Sequence, residues 1–409
     1  MTKLAEQVQR LEAGVANEIQ ERDAIVHTGV LALLTKQHHF QVGVPGIAKS
    51  MLIERIIARI DGFGEYDYFH RLMSRQMPED KLFGPPDLGL MQVTNNPKTG
   101  EREGGIVKRD TTRYLPNATI AFLDEIFKTG EGSLNSLLNI LNERTYDDEY
   151  EGLTTTNLWS VFSASNEMQE SEQLDALWDR FLFRHHAQPI QDAGSMKAML
   201  TSIFEEDPEK VVSLDDLAEA QRQVKLVEVP EQVIDALLTL KDNLSDRGIN
   251  PSDRRWRASI QAIQAEAWLD GCEVAEVIHT RPLEHILWYT VANNQPRDVS
   301  NAVLDLADPV ERQVKEFLSE LLKFEEDYHS VQNSDEEDQK RRRHRVEVYG
   351  KVEELEDEFN ALVDNAPQPI TARTEELIEN FRRRFLALHD VLINTFGAGG
   401  KGTNFPRSL

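Results

Sequence analysis

One stretch, residues 40–50, constrains this chain more than any other, because it has the pattern of a strand end, a glycine-bearing loop and a helix start. The loop matches G-x-x-x-x-G-K-[ST] at Gly43, Lys49 and Ser50, but Ala48 replaces the second glycine. Loop amides and a helix N-terminus attract phosphate, a lysine adds a full positive charge, and a serine hydroxyl can bind magnesium. The stretch therefore predicts a phosphate-binding loop.

The residues on either side of the loop bear on this prediction. After it, apolar residues recur with a helical period, at Leu52, Ile53, Ile56, Ile57 and Ile60. Before it, residues 38–42 form only a short and partly polar candidate strand. The alternative is an ordinary turn of glycine and proline before a helix. Since a methyl group fits such a loop only at negative φ, a negative φ is predicted for Ala48.

The charge balance limits the classes of partner. The 409 residues include 71 acidic and 45 basic ones, and a formal net charge of -26 repels nucleic acid from the chain as a whole. Nucleic acid could bind only at a local patch or a pore lining. The single cysteine, Cys272, excludes an intrachain disulfide, and no apolar run has the length of a membrane span. We expect a soluble cytoplasmic protein of two or three domains.

A second motif follows at residues 119–125, where a short apolar run ends in Asp124 and Glu125. Such a run is typical of a strand buried on both faces of a parallel sheet, and open α/β sheets bind ligands at the carboxyl edge. Asp124 would then hold magnesium, directly or through water. Glu125 would orient and deprotonate an attacking water molecule.

A polar residue also ends the next candidate strand. Residues 158–166 have the pattern of a third strand, which ends at Asn166. The amide of Asn166 could bind a γ-phosphate or the attacking water, and a simple cap of the strand end is the alternative.

Arg180 and Arg184 are four residues apart and would share one face of a helix. Either could reach a neighbouring subunit's phosphate or form a surface salt bridge.

Smaller features are given structural interpretations. Residues 88–94 and 105–108 flank a turn at 95–100 and predict an exposed hairpin. The acidic residues 147–151 lack the spacing of a calcium loop, so a solvated turn is favoured. The paired histidines at 38–39 and 185–186 lack metal-ligand context, so packing or surface roles are favoured.

Beyond residue 191 the sequence becomes helical. Residues 191–294 have helical patterns throughout, and the following region contains two heptad seams and a third amphipathic helix at 371–396. The first seam is Val310, Val314, Phe317, Leu321, Phe324 and Tyr328, and the second is Val348, Val352, Leu355, Phe359 and Leu362. We predict a helical hairpin or three-helix arm that docks a partner. The basic run 340–345, after the acidic residues 335–338, is interpreted as a hairpin tip rather than a nucleic-acid site.

The order of these parts resembles an AAA+ ATPase, and the motifs are similar to those of the MoxR family, especially its RavA-like branch. The segments that carry the resemblance are GVPGIAKS at 43–50, FLDEIFK at 122–128, LNILNER at 138–144, SASN at 163–166 and ALWDRF at 176–181. They resemble the phosphate loop, the Walker B segment, the following helix, sensor 1 and the arginine-finger segment. The resemblance covers roughly residues 20 to 290.

The resemblance implies an α/β fold with an αβα P-loop core at 1–190 and a helical lid at 191–300. The heptad pattern adds a C-terminal coiled-coil-like region at 301–409. It implies that Asn166 is sensor 1, that Arg180 rather than Arg184 is the finger, and that Arg254 or the adjacent Arg255 is sensor 2. Magnesium would be held by Ser50 and Asp124. ATP would be bound by Gly43, Val44, Pro45, Gly46, Ile47, Ala48, Lys49, Ser50 and Met51.

The same resemblance implies a homo-oligomeric ring, usually a hexamer, and a pore-facing or substrate-facing insertion around residues 95–100. It also implies a chaperone-like remodelling role, with von Willebrand factor A domain proteins as partners. The leading hypothesis is a magnesium-dependent ATPase. Two alternatives stay open, which are a nucleotide-gated scaffold with slow turnover and a nucleic-acid motor of the same clade.

Overall fold

The computed structural model describes residues 2–92, 94–95, 102–103, 105–148, 150–166, 172–202, 207–332, 338–366 and 370–396. The chain divides into two compact units, Met1–Ser300 and Asn301–Leu409. The first unit contains the sheet and most of the helices. The second consists of long helices.

The strands are short, as expected for a buried parallel sheet. They are β1 (His38–Val42), β2 (Ile60–Asp61), β3 (Tyr68–Leu72), β4 (Thr94–Asn95), β5 (Arg102–Glu103), β6 (Ile120–Asp124), β7 (Thr145–Asp148), β8 (Gly152–Thr155), β9 (Ser160–Ser165), β10 (Phe181–His186) and β11 (Val212–Ser213). Five of them form the main sheet in the order β10-β1-β9-β6-β3. All four pairings are parallel, so the carboxyl ends of β1, β6 and β9 meet at one edge.

The first unit contains twelve α-helices among its described residues. They are α1 (Lys3–Ala16), α2 (Asp23–Thr35), α3 (Lys49–Ile57), α4 (Asp80–Phe83), α5 (Leu88–Met91), α6 (Glu131–Glu143), α7 (Glu172–Trp178), α8 (Ala193–Thr201), α9 (Leu214–Val224), α10 (Glu231–Asp246), α11 (Asp253–Leu269) and α12 (Gln295–Ala307), which crosses into the second unit. Helices α1, α2, α3 and α6 follow the predicted apolar periods. Ser213 and Asp216 form a capping box at the start of α9, and Ser252 caps α11. The predicted α/β core followed by helices is confirmed.

Strand β1 is an inner strand despite its polar residues. All five of its residues are buried. His38 Nε2 donates to the carbonyl of Leu141 at 2.9 Å, and the N–H of Val161 donates to His38 Nδ1 at 2.9 Å. The Oγ1 of Thr28 lies 3.1 Å from Nε2 of His39. Because these three ring nitrogens have partners, the two histidines can pack in the core. Packing was one of the two roles predicted for them.

Three local predictions need correction. Residues 88–91 form helix α5 rather than a strand, because Asp87 caps the N–H groups of Gly89 and Leu90. Among the described residues, the antiparallel pairing comprises β4 and β5, so Asn95 of the predicted turn belongs to β4, and residues 96–100 lie outside the described residues. The 191–294 region is not wholly helical, because β11 pairs in parallel with β2.

The predicted solvated turn at 147–151 is also partly wrong. It joins β7 to β8, and Asp148 is only 1% exposed. Its carboxylate accepts N–H groups from Arg109, Tyr150 and Glu151, so this side chain organises the turn instead of facing solvent.

The described residues of the second unit form three long helices after α12. They are α13 (Pro309–Gln332), α14 (Asp338–Asn365) and α15 (Ala372–Phe396). The predicted seams form their shared core, in which Val314, Leu321, Val352, Phe359, Phe381 and Phe385 are buried. The rings of Phe359 and Phe381 stack with centroids 3.8 Å apart. Helix α14 carries the basic run, whereas the acidic residues 335–337 lie outside the described residues. Within the part of the chain described, no helix combines the length and hydropathy needed to cross a membrane.

Candidate nucleotide site

The loop after β1 is shaped by its glycines. A Cβ at Gly43 would lie 2.5 Å from the carbonyl oxygen of Ala187 and 2.6 Å from Cδ1 of Ile47, so only glycine fits there. Gly46 has φ of +84°, a conformation that glycine adopts without strain. The path of the loop between β1 and α3 therefore requires glycine at 43 and favours it at 46.

Ala48 departs from prediction. Its φ is +61°, so the predicted negative φ is wrong. A left-handed conformation costs an alanine roughly 1–2 kcal/mol, and the turn into α3 imposes it. As the N-cap, Ala48 provides no side-chain acceptor for the first amides of α3. Those N–H groups are therefore left for a ligand at the positive end of the helix dipole.

Lys49 is the charge at the centre of the site. Its Nζ donates to the carbonyl of Gly43 at 2.6 Å, to the carbonyl of Ser165 at 3.2 Å and to Oδ1 of Asn166 at 2.6 Å. Burial lowers the pKa of Lys49, and the charges of Glu125 and Asp124 act in the opposite direction. Both carboxylates therefore lie close enough to stabilise the ammonium.

Glu125 is fixed by its neighbours at the end of β6. It has φ of +54° and is 8% exposed. Nδ2 of Asn166 donates to its Oε1, Oγ of Ser165 lies 3.3 Å from its Oε2, and Nζ of Lys128 is 3.4 Å from the same oxygen. The structure thus joins Lys49, Asn166 and Glu125 in one chain of polar contacts. Sequence analysis did not predict Ser165 or Lys128 as site residues, although Ser165 precedes Asn166 and Lys128 follows Glu125 on the same segment.

The residues present fit a magnesium ion bound with nucleotide. Ser50 lies in the first turn of α3, with Met51 after it, and Asp124 ends β6. Among the described residues, no group of three or more His, Cys, Asp or Glu side chains could hold a metal alone. Magnesium in phosphoryl-transfer sites is held by one or two protein ligands, phosphate oxygens and water, which is the donor set available here.

Arg184 is a structural residue. The predicted shared helix face with Arg180 is wrong, because α7 ends at Trp178 and Arg184 lies in β10. Its guanidinium is fully buried and donates to the carbonyls of Phe181, Trp178 and Trp288. It also lies 4.2 Å from the ring centroid of Trp178. All three guanidinium nitrogens of Arg184 therefore hydrogen-bond within the same chain.

Arg180 and Arg254 share a cavity of about 220 Å³. Nε of Arg180 is buried without a hydrogen-bond partner among the described residues, and Arg254 is exposed. By contrast, Arg255 is fully buried and occupied by contacts within the chain. Arg254 is therefore the one of the adjacent pair that is available to a ligand.

This cavity lies at the opposite edge of the sheet from Lys49. His38 pairs with Phe181 and Val42 with His186, so Arg180 precedes the amino end of β10, whereas Lys49 follows the carboxyl end of β1. Four residues of strand separate the two edges by roughly 13 Å. Within one chain, the structure does not bring Arg180 and Arg254 to the phosphate loop.

Comparison with known families agrees with this geometry. A model described as the MoxR domain in the MoxR-vWA-beta-propeller ternary systems matches residues 5–226, more than half of the chain. The chain belongs to the MoxR family. A second model, the AAA lid domain, matches residues 232–302 of this MoxR protein. The predicted division at 190 and the RavA-like branch stay predictions.

Two similar proteins from one archaeon carry the description "uncharacterized protein". One from Methanocaldococcus jannaschii is 32% identical over 314 residues, which cover 77% of this chain and 78% of that protein. Another from the same organism is 34% identical over 268 residues, covering 66% and 68%. A crystal structure of a "putative ATPase" from Cytophaga hutchinsonii matches with a TM-score of 0.57 at 15% identity, covering 74% of this chain and 94% of that one. At that identity the match supports the AAA+ fold alone.

Proposed function

We propose that this MoxR protein is a magnesium-dependent ATPase that works as a homo-oligomeric ring and remodels a protein partner. The observation that carries the proposal is the chain of contacts from Lys49 through Asn166 to Glu125 at the mouth of the phosphate loop. A cation for phosphate, an amide and a carboxylate for water are the groups that hydrolysis of a phosphoanhydride requires.

Each residue has one task in this scheme. The loop of residues 43–51, which includes Lys49, binds the phosphates. Ser50 and Asp124 would hold magnesium, which would neutralise developing charge. Glu125 orients the attacking water and accepts its proton. Asn166 fixes Glu125 and Lys49 relative to one another, so the site is organised before the reaction.

The arginines require a second subunit. Since Arg180 and Arg254 lie at the edge opposite Lys49, they act on the nucleotide of a neighbouring chain. An arginine supplied in this way stabilises the charge of the transition state. This arrangement supports a ring with nucleotide between subunits, and the family resemblance suggests a hexamer.

The partner is proposed from the family. The matching model is described from systems that contain a von Willebrand factor A protein and a β-propeller protein, so we propose a partner of the first kind. The helices of the second unit would present a docking surface to it. We infer no nucleic-acid partner, because the net charge of the chain is -26.

Glu125→Gln tests the enzymatic proposal. The amide keeps the shape of the side chain but cannot accept a proton, so MgATP should bind while kcat falls at least about 100-fold. Glu54→Gln, an exposed change on α3, is the matched control and should keep wild-type turnover. Hydrolysis by Glu125→Gln at the wild-type rate would refute the proposed base.

A nucleotide-gated scaffold is the second candidate function, because residues 301–409 form a compact unit of their own. Removal of residues 308–409 distinguishes the two. In a scaffold, hydrolysis does not depend on the partner, so the truncated chain would keep its full rate of ATP hydrolysis and lose only partner binding. In a remodelling ATPase, the partner stimulates hydrolysis, so the truncated chain would lose that stimulation as well.

A further inference from the structure

Asp179 joins the end of α7 to the start of α11. Its Oδ1 lies 3.3 Å from Nε of Arg255 and 3.2 Å from Oγ of Ser252. The Arg255 side chain is 1% exposed and that of Asp179 is 20% exposed. An ion pair as buried as this one fixes the relative positions of the two backbone segments that carry it.

Arg255 is itself held in place by the core. Its terminal nitrogens donate to the carbonyls of Phe181, Leu182 and Ile286. Burial lowers the pKa of Arg255 to about 10, against the opposing charge of Asp179, so the guanidinium stays charged at neutral pH. The pair is therefore an ionic contact between the turn that leads into β10 and the helix that follows Ser252.

A tyrosine adds a third connection at the same point. The N–H of Ser252 donates to the hydroxyl of Tyr289 at 2.7 Å, and that hydroxyl lies 3.4 Å from Oδ1 of Asp179. The guanidinium of Arg255 is 5.5 Å from the centroid of the Tyr289 ring. Asp179 thus accepts contacts from three side chains of the segment 252–289.

The two residues of the ion pair are the sequence neighbours of the two available arginines. Asp179 precedes Arg180, and Arg255 follows Arg254. Arg180 and Arg254 line the same cavity, and burial together with the charge of Arg254 lowers the pKa of Arg180. Like charges that share a cavity repel, and a fixed contact between their neighbours opposes that repulsion.

We propose that Asp179, acting through Arg255, is a positioning residue that holds Arg180 and Arg254 as one rigid pair directed at a neighbouring subunit's nucleotide. The inference rests on the proposed function. Asp179 touches no nucleotide in this scheme. Its effect is to make Arg180, in the turn before β10, and Arg254, in the first turn of α11, act as a unit.

Asp179→Asn in the full chain is the direct test, with MgATP as the probe. It removes the charge and keeps the size, so the arginines lose their fixed spacing. Nucleotide affinity and KM should stay within about twofold, while kcat should fall roughly 10- to 100-fold. Asp175→Asn removes the same charge from an exposed position one turn earlier on α7 and should keep wild-type kcat.

A mixing experiment separates positioning from folding. Asp179→Asn damages the site of a neighbour, whereas Glu125→Gln damages its own site. In an equal mixture, chains with intact Glu125 can receive intact arginines from Glu125→Gln neighbours. About a quarter of the wild-type rate should return, although each variant alone is inactive or nearly so. A purely structural role of Asp179 would give no such gain.

The outcomes are distinguishable. If wild-type protein hydrolyses no ATP, the proposed function and this inference both fall. If wild type is active and Asp179→Asn has wild-type kcat, or the mixture gains nothing, the inference alone is overturned. If Asp179→Asn does not fold, Tyr289→Phe decides, because it removes only one hydroxyl of the network. A several-fold lower kcat at unchanged KM supports the inference, and an unchanged kcat overturns it.

Discussion

The ammonium of Lys49 lies 2.6 Å from Oδ1 of Asn166, whose Nδ2 donates to Glu125. One amide therefore connects the phosphate loop of α3 to the carboxylate after β6. It can do so because β9 lies between β1 and β6, and all three strands end at the same edge. The relationship depends on sheet order as much as on the residues themselves.

Asn166→Ala should therefore reduce turnover more than binding. Loss of the amide frees both Lys49 and Glu125, and we expect kcat to fall about 100-fold with MgATP affinity within about threefold. Steady-state kinetics and calorimetry measure the two quantities. Asn157→Ala, an exposed asparagine before the other end of β9, is the control. Equal effects of the two substitutions would contradict the assignment.

Arg180 and Arg184 should behave in opposite ways. Arg184→Met leaves buried carbonyls without donors and should lower the free energy of unfolding by about 3 kcal/mol. Arg180→Ala should change that free energy by less than about 0.5 kcal/mol but lower kcat about 1,000-fold. Urea unfolding and ATP hydrolysis measure these effects. The reverse pattern would show that Arg184 is the arginine offered to the neighbour.

His27 predicts a pH dependence of stability. Its Nδ1 lies 2.8 Å from Glu12 and its Nε2 lies 2.6 Å from Glu266, so it joins α1, α2 and α11. Burial lowers the pKa of His27, but Glu266 and Glu12 outweigh burial and raise it well above 6.5. The stabilisation is complete below the unfolded-state pKa and is lost as pH rises through the folded-state pKa.

His27→Gln should therefore destabilise the protein most at about pH 6 and progressively less as pH rises through the folded-state pKa of His27. Urea unfolding of wild type and variant at several pH values measures this difference. His70→Gln, which removes an exposed imidazole outside this cluster, is the control. A cost that grows as pH rises would contradict the charged state assigned to His27.

The sequence predicted those parts of the site in which local pattern and burial agree. The apolar runs at 119–124 and 158–165 are strands β6 and β9, and the P-loop helix begins at Lys49. Strand β1 was less apparent because the partners of its histidines, such as Leu141, are about 100 residues away in the chain. Local patterns do not contain such contacts.

The errors have the same origin. The positive φ of Ala48 is imposed by the turn into α3, which a residue pattern does not specify. Helix α7 ends at Trp178 and Arg184 lies in strand β10, whereas its four-residue spacing from Arg180 predicted a shared helix face. The contact of Asp179 with Arg255 joins residues 76 apart in sequence, and only the folded chain shows it.

The central claim is that the loop of residues 43–51 binds a triphosphate through Lys49, and titration of the full chain with MgATP by calorimetry tests it most directly. Wild type should give a saturable binding isotherm. Lys49→Ala should bind about 100-fold more weakly, since a charge-assisted contact with phosphate is worth about 2–3 kcal/mol. Lys81→Ala, an exposed lysine elsewhere, should match wild type. No binding by wild type, or equal binding by Lys49→Ala, would contradict the account.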